Sequence, residues 1–581
     1  MLPDCTRDPE GLALLTACKE NPLDPAPRLI LSDWLEDHGE DDVARCLRES
    51  MAGDGCMVPL PTRAQERWQP LNGCDHGWLC LRPVAETVER KLDELRDCPW
   101  FGAVSFDWLS YETVRRMIEI TRPLSHVVKL ELDSGWLRGG TFEDDSLACL
   151  SHLSLHSNLV DQHDLAMLCR DKRVRRLTAL NLAEASLTFD GLTELYEPVW
   201  RRSLRSLRLK MSFHARREQG VACLPLSDLD RLELTEGRVG DEVLQALADR
   251  EWANLRSLAL RYMNVSDIPL QHALAACPPG RLTTLDLSGN ALGDFGLQAL
   301  AAWPGMGRLE QLRLNWVYAG SAGFAALAAS PQADCLRRLD MSDNRWLDED
   351  LMAGSSRADF PGLTELALNE CDLRADSFSN LARSPMMARL SKIRLSKNRL
   401  EVAGVQQLAR SARALTHLDV SANFIGDAGV KHLADAEGVR RICELNLADN
   451  GIAAPGVAQL ASSPNMPDLS ALTLSRNPIT DNGLRVLANS RILTGLRTLH
   501  ASQVGATDAG LRALLDSPHL GPLESLNLWG NQITDAGADV LANCEALDTL
   551  TDLYISEEHL TDTGKAALRN SPHLRHTIIH W

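Results

Sequence analysis

The stretch Leu282-Thr283-Thr284-Leu285-Asp286-Leu287-Ser288-Gly289-Asn290-Ala291-Leu292 decides the fold. It reads Leu-x-x-Leu-x-Leu-x-x-Asn. Further copies start at Leu309, Leu336, Leu363, Leu390, Leu415, Ile442, Leu469, Leu496, Leu523 and Leu550. Every step is 27 residues except the 25 from Leu390 to Leu415. A fixed period of this size means a row of similar supersecondary units. None of them buries its apolar face alone, so neighbours must stack. The period points to an extended binding surface and leaves the ligand unspecified.

Within one unit, Leu285 and Leu287 alternate with Thr284, Asp286 and Ser288. That period of two is a short strand with one face in the core. The ninth residue, Asn290, carries an amide able to satisfy backbone groups in the bend after the strand. Asn158, Asn344, Asn398, Asn423, Asn450, Asn477 and Asn531 repeat it, which predicts a ladder. Cys371 takes the slot once, and Val317, Val504 and Glu558 break the pattern, so local irregularity is expected there. A short apolar position and a Thr/Gly-Asp-x-Gly turn follow, as at Gly426-Asp427-Ala428-Gly429, Thr507-Asp508-Ala509-Gly510, Thr534-Asp535-Ala536-Gly537 and Thr561-Asp562-Thr563-Gly564. The Asp is expected to cap the helix that follows. Leu511, Leu514 and Leu515 then share one helical face, and Ser384-Pro385, Ser463-Pro464 and Ser517-Pro518 end helices, because proline cannot continue one. Parallel strands stack about 4.8 Å apart, while helices are wider. The expected fold is therefore an α/β solenoid, a horseshoe with a parallel sheet on its concave side and helices on its convex side.

This pattern resembles the leucine-rich repeat in its ribonuclease-inhibitor-like form, with a helix in every unit, over more than three quarters of the chain. Weaker copies start near Leu255, Leu229, Leu204, Leu177, Leu150, Val127 and Phe101, giving an array of about 18 units over 101–581. Gly135 and Ala185 replace the Asn in early copies, and Lys210 to Leu224 has no clear turn. Residues 78–100 read as an N-terminal cap, with a strand at Trp78-Leu79-Cys80-Leu81 and a helix from Val84 to Leu95. At the other end Thr577-Ile578-Ile579 offers a last strand whose open edge invites self-pairing.

Residues 1–50 differ. Helices are expected at Gly11–Lys19, Arg28–Asp37 and Asp42–Ser50, with Leu31, Trp34 and Leu35 as a small core. The string Arg28-Leu29-Ile30-Leu31-Ser32-Asp33-Trp34-Leu35-Glu36-Asp37-His38-Gly39, followed by Ala44-Arg45 and Leu47-Arg48, resembles the N-terminal repeat-companion domain of planctomycete bacteria. That resemblance implies a bacterial origin and carries no biochemical activity with it. Residues 51–77, rich in Gly and Pro, read as a linker.

Net charge is −19, from 60 basic and 79 acidic side chains, and it argues against general binding to nucleic acid or an anionic membrane. The N-terminus shows no secretory apolar region, and no 18-residue apolar run is present. The 15 cysteines are scattered, several on apolar positions such as Cys149, Cys169 and Cys277, and read as free thiols of a reducing cytoplasm.

Cys56, Cys74, His76 and Cys80 have the content of a zinc site but lack its usual Cys-x-x-Cys knuckle, so incidental cysteines in a linker are the competing reading. Asp33, Glu36, Asp37 and His38, followed by Glu40, Asp41 and Asp42, weigh a cation site against a solvated acidic face. No catalytic motif stands out, and no cofactor or metal is expected. The third, fifth, seventh and eighth positions of each unit should face solvent on the concave sheet. They present Arg261, Tyr262, Arg313 and Trp316 as an anchor patch, with Arg394 further along and Trp529 and Tyr554 as a second candidate. Large aromatics and arginines are the usual anchors of protein interfaces, although the same rings would also serve to pack neighbouring units. Trp303, at a helix end, reads as core. The reading is a non-catalytic scaffold binding a protein partner. The alternatives are an enzyme regulator of GTPase-activating or ubiquitin-ligase-like type, as the family includes, and an element assembling through its last strand; otherwise the chain is monomeric.

Overall fold

The computed structural model describes residues 8–20, 25–52, 58–59, 73–75, 78–81, 103–106, 129–133, 150–156, 162–170, 174, 176–187, 195, 198, 200–211, 228–238, 240–248, 254–276, 280–345, 359–575 and 577–581. The cap helix at 84–95, the repeat starts at Phe101 and Val127, and Gly135, Asn158, Cys149 and Cys277 lie outside them. So does Lys210 to Leu224 beyond Met211. The chain divides into two compact units, one of residues 1–265 with 280–282, the other of 266–279 with 283–581.

The first unit opens with three helices, Pro9–Glu20, Ala26–Asp37 and Asp41–Ala52. Leu31, Trp34, Leu35, Val43 and Leu47 are buried between them. Gly11 has no room for a side chain, since a Cβ there would press on the Trp34 ring at 2.7 Å. The stretch expected to be a linker contains two strands, Val58–Pro59 and Gly73–Asp75, paired antiparallel. Gly73–Asp75 also pairs antiparallel with Trp78–Leu81. From there the sheet is parallel, running through Ala103–Phe106, Lys129–Asp133, His152–His156, Ala179–Leu187, Ser206–Met211, Arg231–Thr235 and Ser257–Arg261. Where Ala185 replaces the Asn of the bend, the strand does not turn and runs on to Leu187, with a register shift between Leu182 and Leu187.

The second unit is the regular one. Among its described residues, twelve parallel strands, from Thr284–Asp286 to Ile578–His580, follow one another at the period of the sequence. Their central residues stay in register, Leu285 on Leu312, Leu312 on Leu339, and so on to Leu553 on Ile579. The strand leucines point inward against the helices, and Leu285, Leu312, Leu339 and Leu366 are all at most 2 % exposed. This is the expected α/β solenoid, parallel strands stacked in register with helices between them.

Three ladders of side chains tie each unit to the next. In the first, the Asn344 amide donates to Leu314 O and Met341 O at 2.8 Å and accepts from the N–H groups of Val317 and Ala319 at 3.0 and 3.1 Å. One side chain thus satisfies backbone groups of two units, and burying it costs nothing in unmet hydrogen bonds. The same geometry explains why the expected irregularity at Val317 and Val504 does not occur. Their backbones are served by the Asn of the following unit, Asn344 and Asn531. Cys371 fills its slot by donating its thiol to Met341 O and Asn369 O. At Glu558 the chain does depart from the pattern, into a short 3-10 turn Glu557–His559.

The second ladder corrects the expected cap. Thr507, Thr534 and Thr561, not the Asp that follows each, cap their helices. The Asp reaches forward instead. Asp508 accepts from the N–H and hydroxyl of Thr534 at 2.8 and 2.6 Å. Asp481 does the same with Thr507, and Asp535 with Thr561. In the third ladder, a Ser after the helix, whether in a Ser-Pro pair as expected or not, as at Ser490, donates its hydroxyl to a carbonyl in the last turn of the helix before. Ser463 bonds Ala434 O, Ser490 bonds Ala461 O and Ser571 bonds Ala542 O, at 2.6 to 2.8 Å. Helix ends leave such groups without intrahelical partners, and the repeat supplies one from the neighbouring unit.

Candidate binding surface

The strand positions expected to face solvent do so only in part: Glu233, Ala259, Asp286, Ala367, Ser288 and Ser342 are buried, and many of the others are paired with one another. Arg261 ends its strand and holds Glu233 at 2.9 Å, and Glu233 also takes Arg208 at 2.7 Å. Arg313 lies 3.9 Å from the buried Asp286 carboxylate. Across adjacent strands Arg338 meets Glu365 at 3.2 Å, and His417 meets Glu444. Arg394 is exposed between Ala367 and Asp419 on the neighbouring strands, and among the described residues no carboxylate lies within ion-pair distance of it. Trp529 is 41 % exposed. Tyr554 is less available, because its ring stacks on His580 at 4.1 Å. His580 in turn hydrogen-bonds Asp552, and the guanidinium of Arg569 sits over Trp581.

Tyr262 and Trp316 stand at the eighth position, at the mouth of the loop after the strand, and are about half exposed. Both hold left-handed backbone, φ +54° and +51°. That conformation recurs at the eighth position of nearly every described unit, through Asp343, Glu370, Lys397, Ala422, Asp449, Arg476 and Gln503. Gly289 and Gly530 occupy it where the sequence supplies the residue that fits it without strain. Arg261 and Tyr262 belong to the first unit, and the other five expected contact residues to the second.

Two exposed aromatics of this rim are not evident in the sequence. Tyr318 and Phe424, at the tenth position, are 52 % and 71 % exposed and also left-handed. The apolar position expected after the Asn is the eleventh, as at Leu292, and Ala319 and Ile425 fill it fully buried; the aromatic tenth residue beside it carries no sign of its direction in the linear pattern. The left-handed turn rotates the tenth side chain outward, and only the backbone reveals that. Phe424 closes a groove of about 420 Å³ lined by Arg345, Glu370, Asp372, Lys397 and Arg399. Its charges are largely matched, Lys397 to Glu370 at 2.5 Å and Arg399 to Asp372 at 2.7 Å. A second groove of about 520 Å³ continues on the same rim, past Asp449, Arg476, Pro478 and Gln503.

The acidic run of the first helices is partly ion-paired. Arg48 lies between Asp33 and Glu36 at 2.7 and 2.5 Å, and His38 stacks on Trp34. Two carboxylates of the acidic run thus share one guanidinium, and Asp42 is paired with Arg45. No cluster of metal-ligating residues occurs among the described residues. Cys56 and His76 lie outside them, as do the side chains of Cys74 and Cys80. Trp303 is buried as expected, 3 % exposed. Thr416 and His417 resemble a nucleophile–base pair at 2.8 Å, but the Thr416 hydroxyl also lies 3.0 Å from Ser391 O as part of a cross-unit ladder. Among the described residues, no helix is long and apolar enough to cross a membrane.

The family model described as "Leucine Rich repeat" matches residues 282–301, 412–434, 465–488 and 522–542. Among solved structures, an internalin from Listeria monocytogenes is similar at 22 % identity and a TM-score of 0.38, over 61 % of this chain and 87 % of that one. A chain of the mouse RP105/MD-1 complex is similar at 15 % identity and a TM-score of 0.43, over 80 % of this chain and 79 % of that one. No curated protein matches the chain.

Proposed function

We propose that this leucine-rich-repeat protein is a non-catalytic scaffold that binds a protein partner on the solvent-facing side of its parallel sheet and along the adjoining loop rim. One observation carries the reading. Trp316 and Tyr318 are held half exposed in left-handed backbone, where a non-glycine residue costs about 1–2 kcal/mol. That backbone recurs along both rows and belongs to the repeat, so the residue type carries the reading: large aromatics are the side chains that anchor interfaces. Arg313 and Arg394 on the strands, and Trp529 further along, extend the surface. Arg261 and Tyr262 present the same residue types on the first unit, and Tyr554 contributes only the part of its ring that His580 leaves open. Leucine-rich-repeat proteins generally mediate protein–protein interaction, and a solenoid spreads its contacts over many units.

The finer parts of the reading have their own support. A helix in every well-described unit of the second half fits the ribonuclease-inhibitor-like type. Three short helices around Trp34 fit a repeat-companion domain. Cys335, Cys371, Cys443 and Cys544 are free thiols, which fits a cytoplasmic setting. Affinity capture from native lysate tests the main claim, comparing the full chain with Trp316→Gly/Arg394→Glu. The expected outcome is a specific protein held by the wild type and lost from the variant. A protein held equally by both would remove the surface from consideration.

A further inference from the structure

Trp316 and Asp343 occupy the same eighth-position row in adjacent units. The Trp316 N–H donates to Ser342 O at 3.0 Å, which sets the next residue, Asp343, beside it. The Asp343 N–H donates in turn to Asn369 O at 2.8 Å and sets Glu370 beside that. All three residues are left-handed, with φ from +51° to +63°. Asp343 is exposed, and among the described residues no cation lies within ion-pair distance of it. Glu370, by contrast, is paired with Lys397. Burial, Glu370 and Asp340 push the Asp343 carboxyl above the usual aspartate range, against the weaker pull of Lys397 and Arg345. The row thus presents a half-exposed indole and, one unit on, a carboxylate in a field of its own sign.

We propose that Trp316 and Asp343 form a docking point for an arginine side chain of a partner protein. A guanidinium is planar and weakly hydrated. It stacks on an indole face while donating two parallel hydrogen bonds to a carboxylate, and an ammonium matches only the second. The added positive charge also relieves the repulsion among Asp343, Glu370 and Asp340. A net charge of −19 steers basic partners toward the chain from a distance. The inference rests on the protein-binding reading above and gives it a partner chemistry.

The test is fluorescence anisotropy on the full chain, with a dye-labelled peptide of alternating arginine and glycine and its citrulline counterpart, which keeps the shape and lacks the charge. The arginine peptide should bind and the citrulline peptide should bind at least about fivefold more weakly. Asp343→Asn and Trp316→Gly should each weaken arginine binding by about the same factor. Trp316→Gly keeps the fold, because glycine suits the left-handed backbone. A distant exposed change, Glu545→Gln, should leave binding within about twofold, the range of general screening. If Asp343→Asn behaves like Glu545→Gln, the docking point is overturned. If both peptides bind equally and Trp316→Gly weakens both, the cation is wrong while the aromatic rim still binds protein. If neither rim variant differs from the control, and Trp316→Gly/Arg394→Glu also keeps the captured partner, both readings fall.

Discussion

At the scale of single residues, the ninth position shows how one side chain decides both stability and chemistry. An Asn there makes hydrogen bonds to two units, whereas Cys371 offers one weak donor and sits 0 % exposed. Burial is the main cause that pushes its thiol up to about 12. Nucleophilic sulfur is the thiolate, so Cys371 should be inert in the native chain. Cys335, exposed in a 3-10 turn, should react first. Iodoacetamide at pH 8, followed by peptide mass spectrometry, should label Cys335 fully while Cys371 stays unmodified until denaturant is added. Early labelling of Cys371 would mean that its unit opens far more readily than its packing implies.

At the scale of an element, the Thr-Asp-x-Gly turn is a device for joining helices. The Gly is required by its neighbour. A Cβ at Gly537 would collide with the Asp508 carboxylate and press on Ile533 Cγ2 at 2.6 Å. Alanine ordinarily stabilises a helix over glycine, by about 1 kcal/mol. Here overpacking of about 1–3 kcal/mol opposes that gain and also displaces the Asp508 staple to Thr534. Gly537→Ala should therefore lower stability, seen as a reduced urea midpoint with faster hydrogen exchange in the helices Asp508–Leu515 and Asp535–Ala542. A stabilised variant would show that the carboxylate moves aside at no cost. The sequence displayed this turn plainly, but it suggested that the Asp caps its own helix. The forward reach to the next unit follows from the stacking of helices, which a linear pattern does not contain.

At the scale of the whole molecule, stability in a solenoid is a sum of unit and interface contributions, so a staple repeated along the array gives a pH response. Burial disfavours the charge on Asp481, yet the N–H and hydroxyl of Thr507 and the N–H of Gly510 hold its carboxyl below the usual aspartate range. The hydroxyl and N–H of Thr561, with Gly510's counterpart Gly564, do the same for Asp535. A depressed native pKa contributes stability that is present above the unfolded value, about 3.9 for aspartate, and is lost as pH falls through the lower native value. Asp481→Asn/Asp535→Asn should therefore be less stable than wild type at pH 6, and the gap in urea midpoint should narrow by about pH 2.5. A gap that stays constant would assign the loss to packing alone.

The sequence by itself determined the repeat, its strand register and its core, because those follow from side chains alternating every second residue at a fixed period. It also placed Trp303 inside and Arg394, Trp316 and Trp529 at solvent-facing positions. Only the tertiary structure decided which surface residues remain available. Arg261 is held by Glu233 and Tyr554 by His580, partners contributed by other units. Tyr318 and Phe424 emerge on the rim because a left-handed turn sends the tenth residue outward and the eleventh inward. Pairing between units and the handedness of a turn depend on how copies stack, and that geometry is absent from any single copy of the motif.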